Sequence, residues 1–177
     1  MRQGRLQRTG AIAPRTATDH PAADAQSLSR LPVGRNAGGA IMAEIPWNFR
    51  IQPDPSREYL VVVTSGLKIS WWNPRRVWAF QRYTQGIIEQ LNRSAGCVGF
   101  ALRTTFRPLE GSTISVWEDI ESLRRFQKES PHGEAMEVLS SDTKGGFQYA
   151  QWKSRGDALP RRWEEAEGRL KPREQSA

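Results

Sequence analysis

The sequence predicts an α+β fold: elements in the order β-α-β-β-α-β building a four-stranded antiparallel sheet, with one more helix at the C-terminus. Three observations carry this. A nearly continuous β-branched run at 59–67 precedes apolar residues at helical spacing over 74–93. Two extended segments, 97–107 and 112–117, are separated only by the turn 108–111, which makes them a hairpin. A second helical stretch after Asp119 then leads to a last extended segment, 147–153. This order is the ferredoxin-like split βαβ arrangement.

Each element has its own local reason. Residues 1–41 are rich in Arg, Ala, Gly and Ser and lack periodicity, so they cannot bury enough apolar surface to offset ordering entropy. They read as a disordered tail, or as sequence upstream of a true start at Met42; their Arg-rich, acid-poor bias also resembles an organelle transit peptide. Residues 42–57 contain Pro46, Pro53 and Pro55 and read as an irregular lead-in to a domain spanning 58–154. The run YLVVVTSGL at 59–67 suggests a strand covered on both faces. Asn73-Pro74 is a helix start, because Asn caps and Pro is favoured at the first helical position. Val77, Phe80, Thr84, Ile87, Ile88 and Leu91 continue the helix to residue 93.

Along 97–107 the alternation places Val98, Phe100, Leu102, Thr104 and Phe106 on one face, with Cys97, Gly99, Ala101, Arg103, Thr105 and Arg107 on the other. Asp119 caps the second helix, whose stripe is Ile120, Leu123 and Phe126; Ser130-Pro131 breaks and restarts it, and Met136 and Leu139 continue its buried side. Gly145-Gly146 precedes the last strand, and a final helix over 160–170 carries Trp163, Ala166 and Leu170 on one face within the tail 155–177. With two helices on one face of the sheet, the other face needs a cover. Its small residues Cys97, Gly99 and Ala101 would admit a second sheet, so a sheet-on-sheet homodimer is expected.

Composition excludes several functions. The 177 residues carry a formal charge of +7, but residues 1–41 hold six Arg and two Asp, whereas 42–177 hold 20 basic and 17 acidic residues. The body therefore has no basic stripe for nucleic acid. Gly99-Phe100-Ala101 echoes part of an RNA-recognition strand motif, but Val98 stands where that motif has a basic residue, and the segment comes one strand too early. The lone Cys97 forbids an intrachain disulfide and a CxxC metal frame; with only His20 and His132, a His-rich metal site is also excluded. No apolar run reaches the roughly 20 residues of a membrane span, and no signal-peptide core is present, so a cytoplasmic location without membrane partners is expected.

Trp117, Leu123, Phe126, Pro131-His132 and Ala135-Met136 follow in an order that resembles the second-helix signature of the dimeric α/β-barrel superfamily of antibiotic-biosynthesis-monooxygenase-like proteins. Trp152, Gly156, Pro160, Glu165-Ala166 and Arg169-Leu170 resemble the tail of an uncharacterised branch of it, and together the likeness covers roughly 58–170. The resemblance implies a ferredoxin-like protomer, a dimer whose two sheets form a barrel, and an activity among cofactor-independent monooxygenation, haem degradation and small isomerase or decarboxylase chemistry. In the haem-degrading relatives an aromatic residue and an axial His stand ten residues apart on the second helix. Here Phe126 is followed at that distance by Met136, so haem ligation in that style is not expected.

His132 is the leading candidate for chemistry. At the start of the restarted helix its imidazolium is disfavoured, and a neutral ring beside a cavity can deprotonate a phenol or enol that then reacts with O2. The competing reading is a His that braces the helix break through a backbone hydrogen bond. Asn73 either orients a substrate oxygen or only caps its helix. Trp71 and Trp72 wall an aromatic ligand or only pack, and Tyr83, Phe100 and Phe126 are further candidate lining. Trp117 reads as core, and Arg75-Arg76 and Arg124-Arg125 as solvated faces. Arg103 and Arg107 share a face suited to an anionic ligand or a partner carboxylate. Two functions follow: monooxygenation of an aromatic or apolar small molecule without a bound cofactor, or a non-catalytic dimeric module that binds a small ligand or supports a partner enzyme. Two convergent polar groups in a cavity would favour the enzyme; His132 facing solvent would favour the module.

Overall fold

The computed structural model describes residues 33–35, 41–70, 72–106, 109–140 and 147–170. The elements run β1 (Val33–Arg35), β2 (Ile41–Phe49), β3 (Glu58–Ile69), α1 (Pro74–Arg93), β4 (Cys97–Phe106), β5 (Leu109–Trp117), α2 (Ile120–Lys128), α3 (His132–Ser140), β6 (Gln148–Arg155) and α4 (Trp163–Glu167). They form one sheet in the order β1-β2-β4-β5-β3-β6, and each neighbouring pair is antiparallel. The four strands β6-β3-β5-β4, with helices between β3 and β4 and between β5 and β6, are the ferredoxin-like core the sequence predicts. Among the described residues, no helix is long and apolar enough to cross a membrane.

The sheet is wider than expected. The supposed irregular lead-in supplies β2, which pairs with β4, and β1 inside the supposed tail pairs with β2. Pro46 misleads because it falls where the register shifts between Ile45 and Asn48, at an irregularity that requires no ladder hydrogen bond from it. Ile45 packs against the helix-side core and Trp47 against the opposite one.

Local signals place the helices where expected. The Asn73 side chain accepts a hydrogen bond from the Arg76 N–H, and Asp119 accepts one from the Ser122 N–H at 2.7 Å. Such caps are typically worth about 1 kcal/mol each. The second helical stretch breaks at Pro131, giving α2 and α3.

Both faces of β3 are covered, as its unbroken apolar run implies. Leu60 and Val62 join Leu91, Phe100, Leu102, Trp117, Leu123 and Phe126 under the helices. Tyr59, Val61 and Val63 join Val98, Ala101, Ile114 and Val116 on the outer face. The alternation predicted for β4 fails at its start. A bulge between Cys97 and Gly99 sets Val98 beside Gly99 on the outer face and leaves Cys97 under the helices with Phe100.

The outer face is covered by the chain itself. Leu159, Trp163 and Ala166 pack on Val98, Ala101 and Ile114, and Ala166 is fully buried. The final helix is shorter than the predicted 160–170: Trp163 and Ala166 form its buried side, and Leu170, beyond its end, packs against the same cluster. Arg103 ion-pairs with Glu167 and lies 4.7 Å from the centre of the Trp163 ring, so the carboxylate expected from a partner subunit comes from the same chain. The Trp163 indole donates to Glu44 at 3.2 Å, tying α4 to β2 as well. A sheet-on-sheet homodimer would therefore need α4 to share this face or leave it.

Candidate functional site

The helix-covered face of the sheet does not close completely. A cavity of about 120 Å³ lies between β3, β4 and β5 below and α1, α2 and α3 above. Strand alternation builds its floor. Val62 and Leu102 point toward the helices, so Thr64 and Thr104, two residues further along, do too. Thr113 stands opposite both Thr64 and Leu102, and Ser115 stands opposite Phe100, which puts a band of hydroxyls across the floor. Ser115 accepts the Trp117 indole N–H at 2.9 Å. The roof is mostly apolar: Phe80, Ile87 and Leu91 from α1, Leu123 and Phe126 from α2, Met136 from α3. Thr84 also lines it, but its hydroxyl donates to the Phe80 carbonyl at 2.7 Å.

His132 lines this cavity at the first residue of α3. Its ring sits 4.6 Å from the Phe126 ring, centre to centre. Nδ1 is 3.3 Å from the Gln127 carbonyl oxygen. A carbonyl can only accept, so Nδ1 carries the hydrogen and Nε2 keeps the lone pair. Burial pushes the imidazole below its ordinary value of 6.5, partly opposed by the Gln127 bond. The ring is thus neutral at pH 7. Burial is the leading cause, with the N-terminus of α3 acting in the same direction.

The other sequence candidates are dispersed. Phe126 lines the cavity beside His132. Phe100 is fully buried in the core and Tyr83 packs near Ile69, Phe80 and Leu109; neither is a lining residue. Trp72 is 76% exposed, and Asn73 is an exposed helix cap. Trp71 and Arg107 fall outside the described residues. The hydroxyl floor went unnoticed in the sequence, although the same alternation that places Leu102 under the helices places Thr104 there. Among the described residues, no group of three His, Cys, Asp or Glu is arranged to hold a metal ion.

No family model matches the chain, and no curated protein does. Solved structures align with parts of it at low identity. A conserved protein from Methanosarcina mazei is 18% identical, with 53% of this chain covering 90% of that one at a TM-score of 0.44. A heme-degrading enzyme from Listeria monocytogenes is 14% identical, with 66% of this chain covering 72% of it at 0.46. A cofactor-independent oxygenase from Streptomyces nogalater is 17% identical, with 59% of this chain covering 99% of it at 0.42. With scores this low, the ferredoxin-like assignment rests on the strand order itself.

Proposed function

We propose that this protein is a monooxygenase-like enzyme that oxidises a small aromatic molecule held between sheet and helices, with His132 as proton acceptor and no bound cofactor. The observation that carries the reading is the placement of His132: a neutral imidazole on a mostly apolar cavity, its Nδ1 committed to Gln127 and its Nε2 left as a base. The hydroxyls of Thr64, Thr104 and Thr113 supply the second polar element that an enzyme needs, set to orient substrate oxygens.

Cavity size narrows the substrate. Its 120 Å³ is close to the about 150 Å³ of an engineered cavity that binds benzene. The site as it stands takes one ring, and a polycyclic ligand would have to part the helices. For a phenol with a free para position the chemistry balances simply. His132 takes the phenolic proton, the electron-rich ring anion adds O2, one oxygen atom becomes the new carbonyl of a quinone and the other leaves as water.

The test is a thermal-shift screen of the full chain against single-ring phenols and quinones, larger polyketide-like phenols and haem. Occupancy at a hundredfold excess over Kd stabilises by about 2.7 kcal/mol, well within reach of such a screen. The account predicts that single-ring phenols stabilise the protein and are consumed with O2, and that His132→Ala abolishes turnover. A ligand that binds equally well to His132→Ala with no oxygen uptake by either protein would favour the non-catalytic binding module. Stabilisation by haem alone would overturn the reading.

A further inference from the structure

Gln90 is a polar side chain only 6% exposed, on α1, and each of its hydrogen bonds goes to the break between α2 and α3. Its amide nitrogen donates to the carbonyls of Phe126 at 3.0 Å and Glu129 at 3.3 Å. Its amide oxygen accepts the backbone N–H of His132 at 3.0 Å. The orientation is chemically forced: two partners are carbonyls that only accept and the third is an N–H that only donates, so a flipped amide would lose all three bonds. Two of the partners, a late carbonyl of α2 and the first N–H of α3, are groups that a helix end leaves without intrahelical bonds; the third, the Glu129 carbonyl at the α2 cap, also accepts the Gly133 N–H at 3.0 Å. One turn earlier on α1, Gly86 faces the same break. A Cβ there would come within 2.8 Å of Pro131 Cγ, so the glycine is what lets the break lie against α1.

We infer that Gln90 is a positioning residue for His132, fixing which ring nitrogen faces the substrate; this rests on the proposed role of His132 as base. The ring is oriented by one bond, from Nδ1 to the Gln127 carbonyl, which belongs to α2, while the His132 backbone belongs to α3. That bond survives only while the end of α2 and the start of α3 keep their relative placement. Gln90 joins these two ends through a single amide. Without it, the Nδ1 hydrogen loses its fixed acceptor and the lone pair is no longer held on Nε2.

Long-range proton–nitrogen NMR of the His132 ring reads the tautomer directly and needs no substrate. The wild-type chain should show a single Nδ1–H tautomer. Gln90→Met, which keeps the length and removes the hydrogen bonds, should lose that signature and give a mixture of tautomers. Gly86→Ala leaves Gln90 intact but pushes on Pro131, and should produce the same loss. A wild-type ring protonated on Nε2 would overturn the inference whatever the variants do. So would a Gln90→Met chain that folds and retains the Nδ1–H signature. If Gln90→Met fails to fold, the wild-type spectrum and Gly86→Ala still decide. Failure of the enzymatic reading shows up separately: the tautomer would respond to Gln90 while phenols neither bind nor turn over.

Discussion

The two faces of the sheet are covered by the same chain to different ends. On the outer face a five-residue helix presses Trp163 and Ala166 onto Val98, Ala101 and Ile114, with Arg103 over the indole ring and Glu44 accepting its N–H. On the inner face three longer helices stand over a floor of threonines and leave about 120 Å³ unfilled, with a neutral imidazole at the edge of the gap. One face is sealed by complementary packing. The other keeps volume, bordered by hydroxyls and an imidazole. The proposed site lies on the inner face, and the outer face is a closure.

Substitutions on the outer face should therefore cost mainly stability. Trp163→Ala removes the main anchor of α4 and is expected to destabilise the chain by about 3–5 kcal/mol in denaturant unfolding, the usual range for a buried Trp. In sedimentation, a chain ending at residue 158 should self-associate more strongly than the intact protein, because it uncovers Val98, Ala101 and Ile114. Equal association would show that α4 does not guard that face. Arg103→Met, which removes a half-buried ion pair and a cation–π contact, should cost about 1 kcal/mol in the same unfolding assay.

On the inner face the signature is pH-dependent. The folded chain holds His132 below its ordinary 6.5, so at acidic pH the unfolded chain binds a proton that the folded chain does not. Stability should fall as pH drops from above 6.5 down through the folded value, and then level off. Chemical unfolding of His132→Phe beside wild type should show that share of the pH dependence removed. The smallest effect is expected at Thr113→Val, whose hydroxyl faces the cavity: stability within about 0.5 kcal/mol of wild type, with weaker phenol binding by calorimetry. A large stability loss there would mean that the hydroxyl floor is structural.

What the sequence revealed follows the range of the interactions. Asn73, Asp119 and Ser130-Pro131 announce helix ends because capping and proline geometry act within a few residues. Those signals, with the hydrophobic patterning, yielded the element order, and the helix break singled out His132, while Phe126 stood out from the apolar stripe of the second helix. The bulge at Val98, the strand hidden behind Pro46 and the seat of α4 on the outer face depend on pairings far apart in the chain, and local patterns carry no trace of them. Gln90 is the sharpest case. In sequence it is one polar residue near the end of an amphipathic helix, and its part in the site is set by partners 36 to 42 residues away. Trp72 shows the reverse error, since an aromatic residue next to a predicted pocket mouth proves to be 76% exposed.

The central claim is that His132 acts as a base on a single-ring phenol in the inner cavity. Its most direct test is quinone formation under O2 by wild type and His132→Ala, followed across pH with a phenol that the thermal-shift screen shows both proteins bind. The account predicts that kcat/KM rises with pH, with its inflection at the His132 value read by NMR and lying below 6.5, and falls by about 10²–10⁴-fold in His132→Ala. Turnover that survives His132→Ala, or that inflects away from the His132 value, would contradict it.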